Sequence, residues 1–330
     1  MAVVKRVVVN VPSSSANLGP GFDVFSVALE QPSLTVEAVL RDDGVFEVVN
    51  DGPYGGEVST LPDEHAGARA ARQLLRELGL GYGLSLKVDV RIPPRKGLGL
   101  SGAEAAGAVF ALNELLGLGM DRERMVMYAA RAEPGEHVDN VAASLIGGFS
   151  IAMRDSLAGG VVVKRVEPPR DLGLVAIIPD IPKASTARAR EALPDSLSRD
   201  AHVESAARCA VAAAALALGD LDLLLRAVSY DPYAEKARAD AGVYGDMLTA
   251  STLLEEKKHL LKEFHVAETI SGAGPSRLLW FKLSENRQRR GERPIDKAID
   301  TVVSGIEEAG YKVLEVLETR PSSVGCARVK

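Results

Sequence analysis

The chain has 330 residues, of which 46% are hydrophobic and 25% charged, with a formal net charge of −6 at pH 7. This length exceeds what one hydrophobic core usually organises, so we expect two domains, while the mildly acidic charge disfavours general nucleic-acid binding. The only two cysteines, Cys209 and Cys326, form neither a metal-ligand cluster nor a disulfide framework, which favours a cytoplasmic protein.

Strand patterns dominate the start of the chain. A β-branched run predicts a strand over residues 7–11, and the Ser-, Asn-, Gly- and Pro-rich segment 12–23 predicts a loop. Helix-forming residues that end on a glycine predict a helix over 63–79. The alternating sequence LSLKVDVRI at 84–92 predicts a half-buried strand.

A glycine-rich loop and the start of a helix follow that strand. Gly97, Gly99 and Gly102 surround Ser101, which we expect to form a capping box with Glu104 in a helix that ends at residue 117. A helix N-terminus preceded by glycines can hold a phosphate, although the lysine of the common phosphate loop is missing. A plain glycine-rich turn with a good helix cap is the alternative.

The second half of the chain again mixes strands and helices. A second helix is expected at 121–133, and a polar turn, a short apolar segment and a strand are expected at 135–153. The Ala-rich segment 202–220 predicts a buried helix, and ISGAGPS at 270–276 predicts a glycine turn between strands. Both halves therefore favour an α+β fold, with one domain at 1–155 and another at 156–330.

Four motifs carry chemistry-bearing residues, and each has a purely structural alternative. They are a surface loop around Asn17 and Asp23, the glycine loop, a helix start at HVDN, and the tight turn ISGAGPS. Taken together, their order and separation match one family. VPSSSANLGPGFD, PPRKGLGLSGAEAAG, HVDNVAASLIGGF and ISGAGPS resemble the signature segments of the GHMP small-molecule kinases, and of the homoserine kinases among them.

The resemblance implies the GHMP kinase fold. An N-terminal ATP-binding domain similar to ribosomal protein S5 domain 2 would precede a ferredoxin-like C-terminal domain. It also implies an enzyme of threonine biosynthesis that uses ATP and Mg²⁺ to phosphorylate the side-chain hydroxyl of L-homoserine. Phosphoryl transfer needs mainly positioning and charge neutralisation, so a missing phosphate-loop lysine is compatible with this activity.

Site residues are carried over from the resemblance onto matching positions. The implied catalytic residues are Ser101, Glu133, Asp139 and Asn140; the metal ligands would be Ser101 and Glu133, with Glu136 as the competitor for the latter. Asp139 would act as a general base, or the reaction would proceed without a base. The nucleotide-binding residues implied by the glycine loop are Pro94, Arg95, Lys96, Gly97, Leu98, Gly99, Leu100, Ser101, Gly102 and Ala103.

The implied substrate-binding residues share charge or hydrogen-bonding capacity suited to an amino acid. They are Asn17, Asp23, Asn140, Arg190 and Arg238. A pair of arginines suits an α-carboxylate and Asp23 suits an ammonium group. Without the resemblance, surface ion pairs would be the simpler interpretation of both arginines.

Three departures and two rival functions accompany the resemblance. Leu100 stands where the family usually has a serine, Gly102 where alanine is common, and His65 where an asparagine near the adenine is expected. Another GHMP kinase, such as a mevalonate kinase, and a non-catalytic metabolite sensor are the alternatives. We further expect no nucleic-acid or membrane partner, a solvated loop at the basic run 285–293, and an enzyme that could form a homodimer.

Overall fold

The computed structural model describes residues 6–181, 186–245, 248–286 and 292–329. Strands and helices alternate along the chain and form two sheets with helices packed against them. The strands are β1 (Arg6–Ala16), β2 (Phe25–Arg41), β3 (Phe46–Asp51), β4 (Gly83–Asp89), β5 (Phe149–Arg154), β6 (Val161–Val166), β7 (Leu172–Pro179), β8 (Ala267–Ile270), β9 (Arg277–Lys282), β10 (Val313–Thr319) and β11 (Ala327–Arg328). The helices are α1 (Ala66–Glu77), α2 (Leu100–Leu116), α3 (Arg122–Ala130), α4 (Asp139–Ile146), α5 (Thr186–Glu191), α6 (Arg199–Leu218), α7 (Leu221–Val228), α8 (Ala234–Asp240), α9 (Ala250–Phe264) and α10 (Pro294–Glu308).

The first sheet has the order β11-β1-β2-β4-β3, with β5 paired to β2 and β6 paired to β5. All of these pairs are antiparallel except β3 and β4, which run parallel and are joined through α1. Helix α2 lies across β1 and β2, with α1, α3 and α4 beside it. Because nearly every residue of α2 is buried, its apolar residues surround the helix rather than forming one stripe.

The second sheet is antiparallel with the order β10-β7-β9-β8. Numbered from β7 as first strand, this order is 4-1-3-2, and α10 precedes the last strand, as in a ferredoxin-like domain. One face carries Val175, Ile177 and Phe281 against α9 and α10. The opposite face carries Leu174 and Trp280 into the large core that also contains the first sheet. The α+β fold class is thereby confirmed.

The chain changes from the first sheet to the second between β6 and β7. Strand β6 still pairs with β5, and β11 near the C-terminus returns to pair with β1. The division into domains 1–155 and 156–330 stays a prediction, because membership of a sheet does not by itself define a folding unit.

Three expectations about local structure are wrong. Strand β1 continues through Ala16, so the first part of segment 12–23 is paired with β2 rather than free as a loop. The capping box at Ser101 is absent, because the N-cap of α2 is Gly99 and it makes no side-chain cap. Helix α6 is mainly exposed, with Ala212, Ala215 and Leu216 buried, because alanine-rich composition does not tell a buried helix from a surface one.

Helix α6 is also the one helix of the described segments that is long and apolar enough to cross a membrane. Only 17% of its most apolar window is buried. One such helix is weak evidence for a membrane protein. The basic run 285–293 lies partly outside the described residues.

Candidate active site

A cavity of about 450 Å³ opens where the first sheet's loops meet α5 and α8. Its volume is within the range of small-molecule sites. Most of the residues singled out from the sequence line it: Asn17, Asp23, Pro94, Arg95, Gly97, Leu98, Gly99, Leu100, Ser101, Gly102, Glu133, Asp139, Asn140, Arg190 and Arg238. Lys96, Ala103 and Glu136 are not among the lining residues. The fold thus brings residues more than 200 positions apart in the chain into one site, as with Asn17 and Arg238.

The glycine loop is packed so closely that it needs its glycines. Gly99 has φ +71°, and a Cβ there would lie 2.2 Å from Ser14 Oγ. Gly97 has φ +81°, and a Cβ there would lie 2.2 Å from the carbonyl oxygen of Ser271, in the second glycine motif. Both positions therefore combine a left-handed backbone with a close approach that other residues cannot make.

Helix α2 begins directly after this loop and points its first turn at the cavity. Leu100, Ser101 and Gly102 form that turn and line the cavity. The backbone N–H groups of a first helical turn have no acceptor within the helix, and the helix dipole places partial positive charge there. This end of the cavity is therefore suited to an anion such as a phosphate group.

Lys96 lies in the loop but is directed at the second sheet. Its Nζ donates hydrogen bonds to the carbonyl oxygens of Pro179 at 2.9 Å and Ile181 at 3.1 Å. Burial lowers the pKa of Lys96, opposed by the charge of Asp180. The ammonium group thus holds the loop against the end of β7, so anion binding at this loop relies on backbone donors.

Ser101 and Glu133 meet at the end of the cavity that the first turn of α2 forms. The Ser101 hydroxyl donates a short hydrogen bond to Glu133 Oε1, which joins the first turn of α2 to the segment after α3. Glu136 lies elsewhere, with its carboxylate 3.3 Å from the guanidinium of Arg154 and in a different pocket. Of the two acidic residues considered from the sequence, Glu133 is the one beside Ser101.

Asp139 and Asn140 begin helix α4 on the floor of the cavity. Asp139 is 4% exposed, and burial, followed by the charge of Asp23, raises its pKa to about 6. The Asn140 side-chain oxygen accepts a hydrogen bond of 3.0 Å from Ser14 Oγ. Ser14 N–H in turn donates to the carbonyl of Leu98, so one serine connects β1, the glycine loop and α4.

A cluster of charged side chains forms a second end of the cavity, beside α5 and α8. Asp23 lies 3.1 Å from Arg190 Nη2 through Oδ2 and 3.3 Å from His137 Nδ1 through Oδ1. Burial opposes ionisation of Asp23, but hydrogen bonds and charge from His137 and Arg190 outweigh it and hold the pKa of Asp23 below its usual range. The Arg190 side chain is 42% exposed, so part of it remains open to solvent.

Arg238 approaches the same end from α8 and is only 4% exposed. Its Nε donates to the Ala189 carbonyl at 2.9 Å, Nη1 lies 3.5 Å from the Gly272 carbonyl, and the guanidinium lies over the Phe22 ring. Asn17 donates to the same Gly272 carbonyl at 2.8 Å. Two substrate-binding residues expected from the sequence therefore converge on the second glycine motif.

Sequence reasoning missed several residues of the site. Ser14 lies in a Ser-Ser-Ser run that is indistinguishable from a polar loop by composition. His137 is the first residue of the HVDN motif but was assigned no role, because its contact with Asp23 depends on the fold. Glu104 was expected to cap α2, whereas it is buried and faces His65 of the N-cap of α1.

Comparison with known proteins gives the class to which this fold and site belong. The family model for the GHMP kinases N terminal domain matches residues 66–148, from the first residue of α1 to just before β5. The crystal structure of homoserine kinase from Cytophaga hutchinsonii superposes with a TM-score of 0.82 at 23% identity, covering 100% of this chain and 99% of that chain. At that identity the likeness shows the fold. The fold is therefore that of the GHMP kinase class.

Sequence relatives identify the family within the GHMP kinase class. A homoserine kinase of Methanococcus maripaludis is 33% identical over 276 residues, covering 82% of this chain and 86% of the relative. One from Deinococcus radiodurans is 36% identical over 275 residues, covering 81% and 82%. The chain belongs to the homoserine kinase family, and the resemblance inferred from the four motifs is confirmed.

Proposed function

We propose that this protein transfers the γ-phosphoryl group of ATP to the side-chain hydroxyl of L-homoserine in threonine biosynthesis, with Mg²⁺ as the metal ion. One observation carries the proposal: a single cavity has a backbone anion cradle at one end and paired acidic and basic side chains at the other. The first end suits a polyphosphate and the second suits a zwitterionic amino acid.

The glycine loop and the start of α2 would bind the phosphates of ATP. The proposed nucleotide-binding residues are Pro94, Arg95, Lys96, Gly97, Leu98, Gly99, Leu100, Ser101, Gly102 and Ala103. Their contributions differ, since Lys96 donates to carbonyls of the second sheet and Ala103 is fully buried. Leu100 in place of a serine removes one hydroxyl but leaves its backbone N–H, so the cradle is retained.

Ser101 and Glu133 fit a divalent cation. A hydroxyl and a carboxylate are hard oxygen ligands, and Mg²⁺ in proteins is usually held by one or two such groups together with substrate phosphates. The short hydrogen bond between Ser101 and Glu133 brings Ser101 Oγ and Glu133 Oε1 next to each other at the proposed phosphate end of the cavity. When bound, Mg²⁺ would supply positive charge to the phosphate oxygens.

Asp23, Arg190 and Arg238 would bind the amino acid part of L-homoserine. The two guanidinium groups suit its α-carboxylate, and Asp23 suits its ammonium group. Arg190 and Asp23 are paired with each other, so the substrate would exchange one internal ion pair for two ion pairs to itself. Asn17 and Asn140, both in the cavity lining, would complete the set with hydrogen bonds.

Asp139 lies close enough to the charged end to contact the reacting part of the substrate, and we propose that it orients this part rather than acting as an obligatory base. Phosphoryl transfer through a loose transition state does not require early deprotonation of the alcohol. Although burial raises the pKa of Asp139 to about 6, the carboxyl is still mainly ionised at pH 7 and can accept a hydrogen bond from the hydroxyl.

Several expectations about the whole protein stay predictions. These are the two domains at 1–155 and 156–330, a cytoplasmic location, a homodimer, and the absence of nucleic-acid and membrane partners. The net charge of −6 supports a small-molecule partner over nucleic acid. A sedimentation equilibrium measurement checks the homodimer.

The experiment that tests the function is a coupled ADP-release assay with ATP and Mg²⁺ against L-homoserine, mevalonate, L-serine and shikimate, with an EDTA control. We expect metal-dependent turnover that strongly prefers L-homoserine. Turnover of mevalonate alone would keep the fold and reject the substrate site. Binding of ATP without turnover of any substrate would support the metabolite sensor instead.

A further inference from the structure

A buried side-chain pair joins α1 to α2 one helical turn from Ser101. Glu104, three residues after Ser101 on α2, has Oε1 3.4 Å from Nε2 of His65. Both side chains are almost fully buried, and both residues are part of the cavity lining. Residues three apart are neighbours on a helix surface, so the pair lies on the part of α2 that also carries Ser101.

The cap of α1 determines the orientation of the His65 ring. His65 Nδ1 accepts a hydrogen bond of 3.3 Å from the Ala68 N–H, and burial lowers the pKa of His65 to about 4. A neutral ring whose Nδ1 accepts carries its proton on Nε2. That proton faces Glu104 Oε1, and within the described part of the chain neither atom has a hydrogen-bond partner of normal geometry.

Helix α1 also contacts the backbone next to Glu133. Arg69, one turn after His65, donates from Nη2 to the carbonyl oxygen of Ala132 at 2.5 Å. The same short segment of α1 therefore contacts α2 behind Ser101 and the chain immediately before Glu133. These are the two elements whose side chains meet in the Ser101–Glu133 hydrogen bond.

The charges at this end of the cavity are within electrostatic reach of one another. Burial, followed by the charge of Glu133, raises the pKa of Glu104 to about 8, and the charge of Arg69 opposes this shift. The His65 ring, whose Nε2 lies 3.4 Å from Glu104 Oε1, can limit the movement of Glu104 by close packing and so hold α2 and Ser101 in position.

We propose that His65 and Glu104 are positioning residues, which hold the Ser101 hydroxyl and the Glu133 carboxylate at the spacing needed to bind one divalent cation. The inference rests on the proposed function, because it takes the Mg²⁺ site at Ser101 and Glu133 as given. Residues that hydrogen-bond to metal ligands commonly orient them, and their removal typically weakens metal binding about 10- to 100-fold, which sets the upper range for residues that act through the helix.

Three variants distinguish the effect of the contact between His65 and Glu104 from the effect of the Glu104 carboxylate charge. Glu104→Met removes the acceptor at similar volume, whereas Glu104→Gln keeps an oxygen acceptor for His65 and removes only the carboxylate. His65→Asn removes Nε2 but keeps a side chain that is well suited to cap α1. The readout is calorimetric affinity for ADP, measured once with Mg²⁺ and once with EDTA, so that the metal-dependent gain is obtained for each variant.

We expect Glu104→Met and His65→Asn each to reduce the metal-dependent gain in ADP affinity, which is the ratio of the affinities with and without Mg²⁺, about tenfold. The double variant should be no worse than either single variant, because both remove the same contact. Glu104→Gln should keep the wild-type gain. Glu114→Met, near the other end of α2 and outside the cavity lining, is the matched control and should also keep it.

Each contrary result overturns a defined part of the account. If wild type shows no metal-dependent gain, the Mg²⁺ site fails and the positioning role fails with it. If wild type shows the gain and Glu104→Met and His65→Asn both keep it, only the positioning role is wrong. Equal loss in Glu104→Gln and Glu104→Met would mean that the carboxylate itself binds the metal or nucleotide, which also contradicts the proposal.

Discussion

The two ends of the cavity are built in different ways. The phosphate end consists mainly of backbone: two closely packed glycines and the first turn of α2. The second end consists of charged side chains, Asp23, Arg190 and Arg238, contributed by segments far apart in the chain. Apart from the side chains of Ser101 and Glu133, changes of side chain should therefore be tolerated at the first end unless they add a Cβ at a close approach, whereas the second end should depend on each charged group.

Within the charged end, Arg238 and Arg190 differ in how deeply they are buried. Arg238 is 4% exposed and holds two backbone carbonyls, while the Arg190 side chain is 42% exposed and pairs with Asp23. Solvent screens an exposed ion pair but not a buried one. The two arginines should therefore contribute unequally to substrate binding.

The largest expected effect is at Arg238. Arg238→Met should lower kcat/KM for L-homoserine about a thousandfold, because truncating one partner of a buried charge pair costs about 2–5 kcal/mol. KM for ATP should change little, since the nucleotide would bind at the other end. Steady-state kinetics with each substrate varied gives this comparison.

Arg190→Met is the matched control for this change, with an expected loss of about 10- to 100-fold because its charge is partly solvated. Thermal unfolding of both variants would show whether Arg238→Met acts through lost contacts to Ala189 and Gly272. Equal losses in the two variants would contradict the contrast between buried and exposed arginines.

The next largest effect tests the backbone end. Gly99→Ala should raise the dissociation constant for ADP about a hundredfold, because the new methyl group would meet Ser14 Oγ and displace the loop. A left-handed backbone at a non-glycine residue should also lower the free energy of unfolding by about 1–3 kcal/mol.

Gly117→Ala separates these two effects. Gly117 also has a left-handed backbone, with φ +62°, but nothing lies within 4 Å of a Cβ there. This variant should lose stability and keep wild-type ADP affinity. Unchanged ADP affinity in Gly99→Ala would show that the loop does not need its close packing to bind phosphate.

Asp139→Asn tests whether the cavity requires a base. We expect kcat to fall less than about a hundredfold, below the usual contribution of a general base, with ADP and Mg²⁺ binding intact. A loss as complete as that of Ser101→Ala would contradict this and support a catalytic base.

The same variant should change the pH dependence of stability. Burial raises the pKa of Asp139 to about 6, so wild-type stability falls as pH rises from about 4 to 6, because the carboxyl ionises in the unfolded chain while it stays mainly protonated in the folded protein. Asp139→Asn should therefore be more stable than wild type by about 3 kcal/mol above pH 6, with the difference vanishing below pH 4. Denaturant unfolding at pH 4 and pH 7.5 measures it.

The smallest expected effect is at Lys96. Because its ammonium group donates to Pro179 and Ile181 rather than into the cavity, Lys96→Met should change KM for ATP by less than about tenfold. Leu100→Ser provides the comparison for KM for ATP, since it introduces the hydroxyl that the family usually has at this position without changing the backbone. A hundredfold rise in KM for Lys96→Met would mean that Lys96 turns towards the phosphates when nucleotide binds.

The sequence predicted those parts of the site that depend on local spacing. The glycine loop, the helix behind it and its end at Gly117 follow from glycine positions and apolar periodicity within about 20 residues. The predicted capping box is absent because α2 begins at Leu100, with Gly99 as its N-cap. The Ser101 hydroxyl donates instead to Glu133, 32 positions away, and no local pattern indicates that contact. In the same way, Lys96 Nζ donates a hydrogen bond to the carbonyl oxygen of Pro179 at the end of β7, a contact with the second sheet that no local pattern indicates.

Long-range contacts also determine what the sequence left open at the charged end. Asp23 and Arg190 are 167 positions apart, and only the family resemblance connected them before the fold did. Helix α6 shows the opposite limit, because an alanine-rich segment fits a buried or an exposed position equally well and its surroundings decide. Local propensity thus accounts for the elements, and tertiary packing accounts for their partners.

The central claim, that one end of the cavity recognises a zwitterion, is tested most directly by deleting each charge from the substrate. The measurement is kcat/KM for L-homoserine, for 4-hydroxybutanoate, which lacks the ammonium group, and for 3-amino-1-propanol, which lacks the carboxylate. We predict that both analogues lose at least about a hundredfold, because each leaves a charged partner of the site unpaired. Turnover of either analogue as efficient as that of L-homoserine would contradict the account.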